Sequence, residues 1–281
     1  MTNQSPQLSE MTATTAGRSY TLRYFDRPGA GPLAILYIHG LGCSKADFMD
    51  MTSIPELQQF RLLAADNPGC GDSSYDENHP LNIDGIVELI ENFVAQLGLN
   101  RFLLVGGSMG GLVALLYAER NPNRIAGFAN VEGNLAPEDC MFSRKVVPHS
   151  YSHFVNIIFP QIKKTLSAKA GRGYAQHLQV LEKANPRAYY DYAFQTVEYS
   201  DHGNLLERFL NLPVPKCFLY GSENRHLSYL QRLRESESIV IEIANAGHFL
   251  FYDSPNDYGA ALASFARRAI ARKTSSTTAR Q

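Results

Sequence analysis

The stretch RFLLVGGSMGGLVALLYAER, residues 101–120, joins an apolar run to a helix-like pattern through a cluster of glycines. Within it, Gly106, Ser108 and Gly110 form the pattern G-x-S-x-G where the predicted strand ends and the predicted helix begins. On so tight a turn the serine is held in a strained backbone conformation, because neighbours with a Cβ would collide with the strand and the helix. The pattern therefore predicts that the Ser108 hydroxyl projects above the carboxyl edge of a sheet as a nucleophile.

Other glycine-rich turns compete with this interpretation. A dinucleotide-binding fingerprint, G-x-G-x-x-G, would require its second glycine at position 108, and a phosphate-binding loop would require Gly-Lys-Ser/Thr at its end. The sequence has neither. A glycine-rich crossing without chemistry stays open, since G-x-S-x-G also occurs by chance. The residues that an activated serine needs elsewhere in the chain decide between the two.

Short apolar runs and helical patterns alternate along the rest of the chain. The runs, which predict strands, span residues 33–38, 61–66, 101–106, 124–131, 216–221 and 238–244. Helical patterns span residues 81–99, the stretch after Ser108, and residues 254–273. Near-continuous apolar strands between helices are typical of a mostly parallel, doubly wound α/β sheet that is covered on both faces. A chain of 281 residues has room for one such domain and an inserted subdomain.

One segment, residues 136–212, interrupts this alternation without a clear strand pattern. It is rich in aromatic residues, among them Phe142, Tyr151, Phe154, Phe159, Tyr174, Tyr189, Tyr190, Tyr192, Phe194 and Tyr199. A structureless loop of this length is uncommon, so we expect a helical lid whose aromatic side chains form its own core or cover an apolar pocket. The predicted organisation is a flexible leader at 1–18, a core at 19–135 and 213–273, this lid (called the inserted segment below), and a disordered tail at 274–281.

Composition limits the possible partners. A net charge of −1 and a pI of about 6.7 favour neither nucleic acid nor an anionic membrane surface, and no apolar run is long enough to span a membrane. The polar N-terminus lacks the apolar region of a signal peptide. The four scattered cysteines, Cys43, Cys70, Cys140 and Cys217, have neither disulfide nor metal-site spacing. We therefore expect a cytoplasmic protein with free thiols, no metal and a small-molecule substrate, and a homodimer stays open.

An activated serine needs a base and donors for the oxyanion. Of the eight histidines, His248 alone follows a predicted core strand and precedes the last helix, so we expect it to be the base. The backbone N–H groups of Leu41, after the strand at 33–38, and of Met109 are the predicted oxyanion donors. We expect His39 to hold the Leu41 loop by hydrogen bonds and Asp66 to stabilise a turn, and His226 could line the pocket.

Four motifs together resemble the α/β-hydrolase family over about residues 20–272. They are HGLG at 39–42, DNPGCGDS at 66–73, GGSMGG at 106–111 and AGHFLFYDSP at 246–255. In this order the motifs are highly specific. The resemblance implies an eight-stranded sheet, a lid inserted after the sixth strand, a Ser–His–acid triad and no organic cofactor.

The acid of the triad departs from the common pattern of that family. Its usual position, three residues after Gly221, holds Asn224, and an amide cannot stabilise an imidazolium as a carboxylate does. Some members, the haloalkane dehalogenases among them, place a Glu at the end of the previous strand, and RIAGFANVEGNLAP resembles that segment with Glu132 at the acid's position. We therefore expect Glu132 to be the acid, with Glu223 second and Asp139 third. A salt bridge that anchors the lid is the alternative role for Glu132.

The resemblance to the dehalogenases does not extend to their chemistry. Those enzymes attack with an Asp and bind halide with a Trp, whereas this chain has Ser108 and no Trp. We expect a serine hydrolase that cleaves a carboxylic ester of a small or medium apolar substrate through an acyl-enzyme. The same triad could act on a C–C bond, a lactone, a thioester or an N-terminal peptide bond. A non-catalytic small-molecule receptor on the same fold would fit the altered acid position, and Cys43 beside the oxyanion loop is expected to be an inert thiol.

Overall fold

A computed structural model describes residues 5–278, with side chains to residue 271, and its centre is one eight-stranded sheet. The strands are β1 (Gln7–Thr15), β2 (Arg18–Arg27), β3 (Ala34–Ile38), β4 (Arg61–Ala65), β5 (Phe102–Gly107), β6 (Ile125–Val131), β7 (Lys216–Gly221) and β8 (Ile239–Ile243). Their order is β1-β2-β4-β3-β5-β6-β7-β8. Strands β1 and β2 pair antiparallel with their neighbours, and the other pairs are parallel. The prediction of a mostly parallel, eight-stranded α/β sheet is confirmed.

The predicted flexible leader at 1–18 is wrong for most of its length, because Gln7–Thr15 forms the edge strand β1. The strand pairs with β2 through a two-residue turn in which Ala16 and Gly17 both have positive φ, 48° and 74°. Such turns match the twist of a hairpin. The strand was missed because most of its side chains are exposed and polar, which leaves no apolar run. Its run of threonines is the signal that could have identified it.

Helices cover both faces of the sheet. They are α1 (Ile83–Gln96), α2 (Met109–Arg120), α3 (Tyr151–His153), α4 (Phe159–Ala168), α5 (Arg172–Leu181), α6 (Pro186–His202), α7 (Leu205–Asn211), α8 (Leu230–Arg234), α9 (Leu250–Asp253) and α10 (Pro255–Thr278). Helix α10 continues through residues 274–278, so that part of the predicted disordered tail is helical. The remainder of the predicted tail lies outside the described residues.

The two faces of β5 divide the hydrophobic core. Phe102 and Leu104 belong to the cluster that contains α1 and α2, whereas Leu103 and Val105 belong to the cluster that contains α10. All four side chains are fully buried, which explains why this strand reads as a continuous apolar run. Packing on both faces of β5 therefore holds the turn at its end, which carries Ser108.

The inserted segment lies between β6 and β7 and contains α3 to α7, with a π-helical turn at Phe154–Ile158. Its aromatic side chains pack on one another, as in the stack of Phe154 on Tyr189 with ring centroids 5.8 Å apart. The Tyr192 hydroxyl donates to the Pro68 carbonyl oxygen at 3.0 Å, which ties the segment to the core. Its role as a lid and the domain boundaries stay predictions.

No helix within residues 5–278 has both the length and the apolar composition that a membrane crossing requires.

Candidate active site

Ser108 lies on the turn between β5 and α2 with φ 53° and ψ −129°, a conformation that an L-residue rarely adopts. A Cβ on Gly106 would lie 2.3 Å from the Gly110 carbonyl oxygen, and one on Gly110 would lie 2.2 Å from the Ile38 carbonyl oxygen. Only glycine fits at both positions. The Ser108 N–H donates to the Val131 carbonyl oxygen at 3.2 Å, which anchors the strained residue to β6.

His248 and Glu132 meet although they are 116 residues apart in the chain. His248 follows β8, and Glu132 follows β6 directly, with its own positive φ of 44°. The His248 Nδ1–H donates to Glu132 Oε2 at 2.8 Å, since an ionised carboxylate only accepts. This hydrogen bond leaves Nε2 as the free acceptor of the ring, which is the tautomer that a general base requires.

Asn224 occupies the position where the family's common pattern has its acid, and it contacts Glu132, the predicted acid. Its Nδ2 lies 2.9 Å from Glu132 Oε1 and 2.8 Å from Oε2. The Gly221 N–H donates to Oε1 at 2.7 Å. Together with His248, these donors compensate the burial of a carboxylate that is 5% exposed. The sequence showed that Asn224 is unsuitable as an acid, but it gave no sign of this second role.

Neither of the two other candidate acids forms a hydrogen bond with His248 in the part of the chain that the structure describes, although Asp139 lines the same cavity as His248. Glu223 is exposed and lies against Gly247, and no hydrogen bond joins it to His248 among the described residues. Asp139 accepts N–H bonds from Leu135 and Ala136 at 2.7 and 2.8 Å, and burial raises its pKa to about 6. Its side chain therefore caps a turn.

The predicted oxyanion donors, Leu41 and Met109, lie in the wall of the same cavity as Ser108. Met109 is the first residue of α2, whose N–H groups have no partner inside the helix. Within the described chain, neither residue donates its N–H to a protein acceptor. The Leu41 loop comes close to the serine at Gly40, where a Cβ would lie 3.0 Å from Ser108 Cβ.

Two buried side chains hold the loops around the site, as predicted. The His39 Nδ1–H donates to the Gly40 carbonyl oxygen at 2.8 Å, and Nε2 accepts from the Asn67 N–H at 2.8 Å. Burial lowers the pKa of His39, so the ring stays neutral. Asp66 accepts from the backbone N–H and the Nζ of Lys45, at 2.7 and 2.6 Å. These contacts fix the loops after β3 and β4.

A cavity, called the main cavity, lies between these loops and the inserted segment. Apolar side chains form much of its wall: Leu41, Phe48, Met109, Val131, Phe142, Phe249 and Phe251. Of the ten aromatic residues noted in the inserted segment, only Phe142 lines this cavity in the described structure. His226 lies outside it, in a neighbouring groove that also reaches His248.

The sequence did not single out several polar residues of this wall, among them His177 and Asp47. The His177 ring stacks on Phe249 with centroids 4.5 Å apart, and its Nδ1 lies 3.6 Å from the Cys43 sulfur. Burial lowers the pKa of His177 to about 3 and raises that of Cys43 well above its usual value. Both side chains are therefore neutral, which agrees with the expectation of an inert thiol.

Curated relatives resemble parts or most of the chain. The cattle (Bos taurus) monoacylglycerol lipase ABHD6 is 37% identical over 108 residues, which is 37% of this chain and 31% of that protein. The zebrafish (Danio rerio) sn-1-specific diacylglycerol lipase ABHD11 is 24% identical over 283 residues, 92% of this chain and 85% of that protein. The chain spans about a third of the length of the first curated relatives that it matches.

Solved structures share the fold at low sequence identity. An esterase from Thermogutta terrifontis superposes with a TM-score of 0.74 at 21% identity, over 94% of this chain and 99% of that one. The N-acyl homoserine lactonase AidH has a TM-score of 0.70 at 19% identity, over 94% and 98%. The family model of the alpha/beta hydrolase fold matches residues 34–255, well over half of the sequence. The chain therefore belongs to the α/β-hydrolase fold family.

Proposed function

We propose that the protein is a serine hydrolase that cleaves a carboxylic ester through an acyl-enzyme, with Ser108, His248 and Glu132 as its triad. The observation that carries this proposal is the 2.8 Å hydrogen bond from His248 to Glu132 in a site where Ser108 occupies a strained turn. A strained residue persists only where the surrounding structure holds it in place, and such residues cluster at functional sites.

The reaction follows from these positions. Ser108 Oγ attacks the ester carbonyl while His248 Nε2 takes the hydroxyl proton, and the N–H groups of Leu41 and Met109 bind the oxyanion. The C–O bond to the alcohol then breaks, and His248 returns the proton to the leaving oxygen. A water molecule attacks the acyl-enzyme with the same base, which releases the acid and regenerates the serine. Glu132 stabilises the imidazolium in both halves of the cycle.

The wall of the main cavity supports a small or medium substrate with apolar parts. Phe48, Phe142, Phe249 and Phe251 surround the space beside Ser108. The names of the relatives, which are lipases, and of the structural neighbours, an esterase and a lactonase, agree with ester chemistry. We propose that the inserted segment acts as the lid of this site. The cytoplasmic location and the homodimer stay predictions.

The alternatives differ in the bond that is cleaved. A C–C bond, a lactone, a thioester or an N-terminal peptide bond would use the same serine and base. A receptor without catalysis was favoured only by the amide at position 224. The contacts of Asn224 with both carboxylate oxygens of Glu132 support an intact triad over that alternative.

A fluorophosphonate probe tests the proposal. We expect stoichiometric labelling of Ser108 in the wild type, identified by peptide mass spectrometry, and no labelling of Ser108→Ala. A panel of esters, lactones, thioesters and β-diketones then identifies the bond. A folded wild type that neither reacts with probes of two sizes nor turns over any member of the panel would contradict the proposal.

A further inference from the structure

A buried carboxylate, Asp47, lines the main cavity, and the proposed reaction does not use it. Asp47 follows the Leu41 loop and is 1% exposed. Its Oδ1 accepts a hydrogen bond from the Tyr252 hydroxyl at 2.7 Å. Its Oδ2 has no hydrogen-bond partner among the described residues. Buried polar atoms are rarely left without a partner, because each costs free energy, so this oxygen calls for an explanation.

The charge of Asp47 also lacks a counterion. The neighbouring Lys45 is engaged elsewhere, since its Nζ contacts Asp66 at 2.6 Å and Asp72 at 2.8 Å. The groups near the carboxylate are the Tyr252 hydroxyl, the Cys43 thiol, the Ser44 backbone and, at longer range, the Asp66 carboxylate. None of these is a cation. Burial raises the pKa of Asp47 to about 6, so the group is ionised at pH 7.5, where neutral donors and no cation stabilise its charge.

Aromatic rings accompany this carboxylate in the cavity wall. Phe48, the next residue in the chain, and Phe251, the neighbour of Tyr252, have ring centroids 5.5 Å apart. The faces of aromatic rings attract cations, and the attraction strengthens where water is excluded. A carboxylate that shares a cavity wall with two such rings is therefore a suitable environment for an ammonium group.

We propose that Asp47 binds a protonated amine of the substrate, so that the preferred substrates are esters with an ammonium group in the acyl or alcohol part. This inference rests on the proposed function for the site. Gly40 lies between Ser108 and Cys43, and Cys43 in turn lies beside Asp47. The amine is therefore separated from the scissile carbonyl by several bonds. Oδ2 accepts its N–H, and the rings of Phe48 and Phe251 lie around it.

Isosteric esters isolate the ammonium group. In the alcohol part, 2-(dimethylamino)ethyl acetate is compared with 3-methylbutyl acetate and 3-hydroxybutyl acetate. In the acyl part, ethyl 3-(dimethylamino)propanoate is compared with ethyl 4-methylpentanoate. Hydrolysis is followed by acid release in a pH-stat at pH 7.5. We expect kcat/KM for the amine to exceed that of its apolar isostere by about 10- to 100-fold in at least one series, with the hydroxyl ester below the amine.

Two variants separate ligand binding from a structural role. Asp47→Asn keeps the shape and the Tyr252 contact but removes the charge, so the preference for the amine should fall to about one. Tyr252→Phe removes the structural hydrogen bond but keeps the charge, so the preference should persist. If both variants lower kcat/KM for all esters by the same factor and leave the preference for the amine unchanged, Asp47 is only a structural anchor and the inference is wrong.

Calorimetry on Ser108→Ala keeps this inference distinguishable from the proposed function. Turnover of any of these esters by the wild type supports the hydrolase, whatever the preference. If no ester is turned over, the binding of the amine ester and of its apolar isostere to Ser108→Ala still tests Asp47. Tighter binding of the amine, lost in Ser108→Ala/Asp47→Asn, supports the inference. Equal affinity for the amine ester and its apolar isostere would overturn the inference. A hydroxyl ester that binds or reacts better than the amine ester would also overturn it.

Discussion

Two buried carboxylates of the active-site region, Glu132 and Asp47, are almost equally inaccessible to solvent but differ in their hydrogen-bond partners. Glu132 accepts from Gly221, Asn224 and His248, and both of its oxygens are engaged. Asp47 accepts from Tyr252 through one oxygen only. A carboxylate whose oxygens are both engaged by protein donors positions those donors. At Asp47, the oxygen without a protein donor is the one for which we propose a ligand.

The largest effect tests the first half of this comparison. Glu132→Gln should lower kcat for a simple ester by about 10³- to 10⁴-fold, because the amide cannot stabilise the imidazolium and can reverse the His248 tautomer. Steady-state kinetics measures this loss. A decrease of only a few-fold would show that Glu132 is a structural anchor and not the acid.

A rescue sharpens the same test. In the double variant Glu132→Gln/Asn224→Asp, the carboxylate moves to the family's usual position, where it faces the region of His248. We expect about 10-fold or more of the lost kcat to return, because a carboxylate again faces the imidazolium. Asn224→Asp alone is the control. It sets two carboxylates side by side and should lower the activity.

Loss of the Asn224 contacts alone should have a smaller effect. Asn224→Ala removes two of the contacts to Glu132 but leaves the hydrogen bonds from Gly221 and His248. We expect kcat to fall by about 10- to 100-fold while KM changes little, because the amide acts on the acid and not on the substrate. A change confined to KM would instead connect Asn224 with substrate binding.

The incomplete hydrogen bonding of Asp47 predicts that removal of its charge stabilises the protein. The pKa of Asp47 is raised to about 6 in the fold, so the folded state holds its proton more tightly than the unfolded chain. Its contribution to the free energy of unfolding therefore falls as the pH rises from about 4 to 6. At pH 8, the free energy of unfolding of Asp47→Asn should exceed that of the wild type by about 1–3 kcal/mol. This difference should vanish near pH 4.

Chemical denaturation of wild type and Asp47→Asn at both pH values measures this difference. A variant that is less stable than the wild type at pH 8 would show that the Asp47 charge is compensated within the protein. The comparison with Glu132 would then lose its basis.

The smallest expected effect is at Glu223. This side chain is exposed and makes no contact with His248 among the described residues. Glu223→Gln should change kcat/KM by no more than about threefold, since surface substitutions outside a network have small effects. Abolished activity in this variant together with retained activity in Glu132→Gln would reverse the assignment of the acid.

The sequence predicted those elements of the fold that a local residue pattern marks. Strands such as β5 are buried on both faces, so their apolar runs are continuous, and the glycines around Ser108 mark a turn that no other residue fits. The strand β1 has an exposed edge and therefore no such run. The expected proximity of Glu132 to His248 came from the family resemblance, and the structure brings the two residues together.

Two other pairings between distant residues could not be predicted. The hydrogen bond from Tyr252 to Asp47 joins residues 205 apart, and the one from Asn224 to Glu132 joins residues 92 apart. No local pattern in the sequence marks either of these pairings. Only the folded structure shows that Asn224 donates hydrogen bonds to Glu132. Likewise, only the structure shows that Asp47 Oδ2 has no hydrogen-bond partner among the described residues.

The location of Glu132 directly after β6 has a consequence for how the family can vary. Ser108 and the proposed acid both precede the inserted segment, so a longer, shorter or exchanged insertion changes the chain length between Glu132 and His248 but not between Ser108 and Glu132. An acid after β7 would have the insertion between itself and the serine. The inserted segment can therefore be exchanged, by selection or by an engineer, while residues 39–132 are inherited as one unit, and the proposed base His248 is the triad member supplied from beyond it.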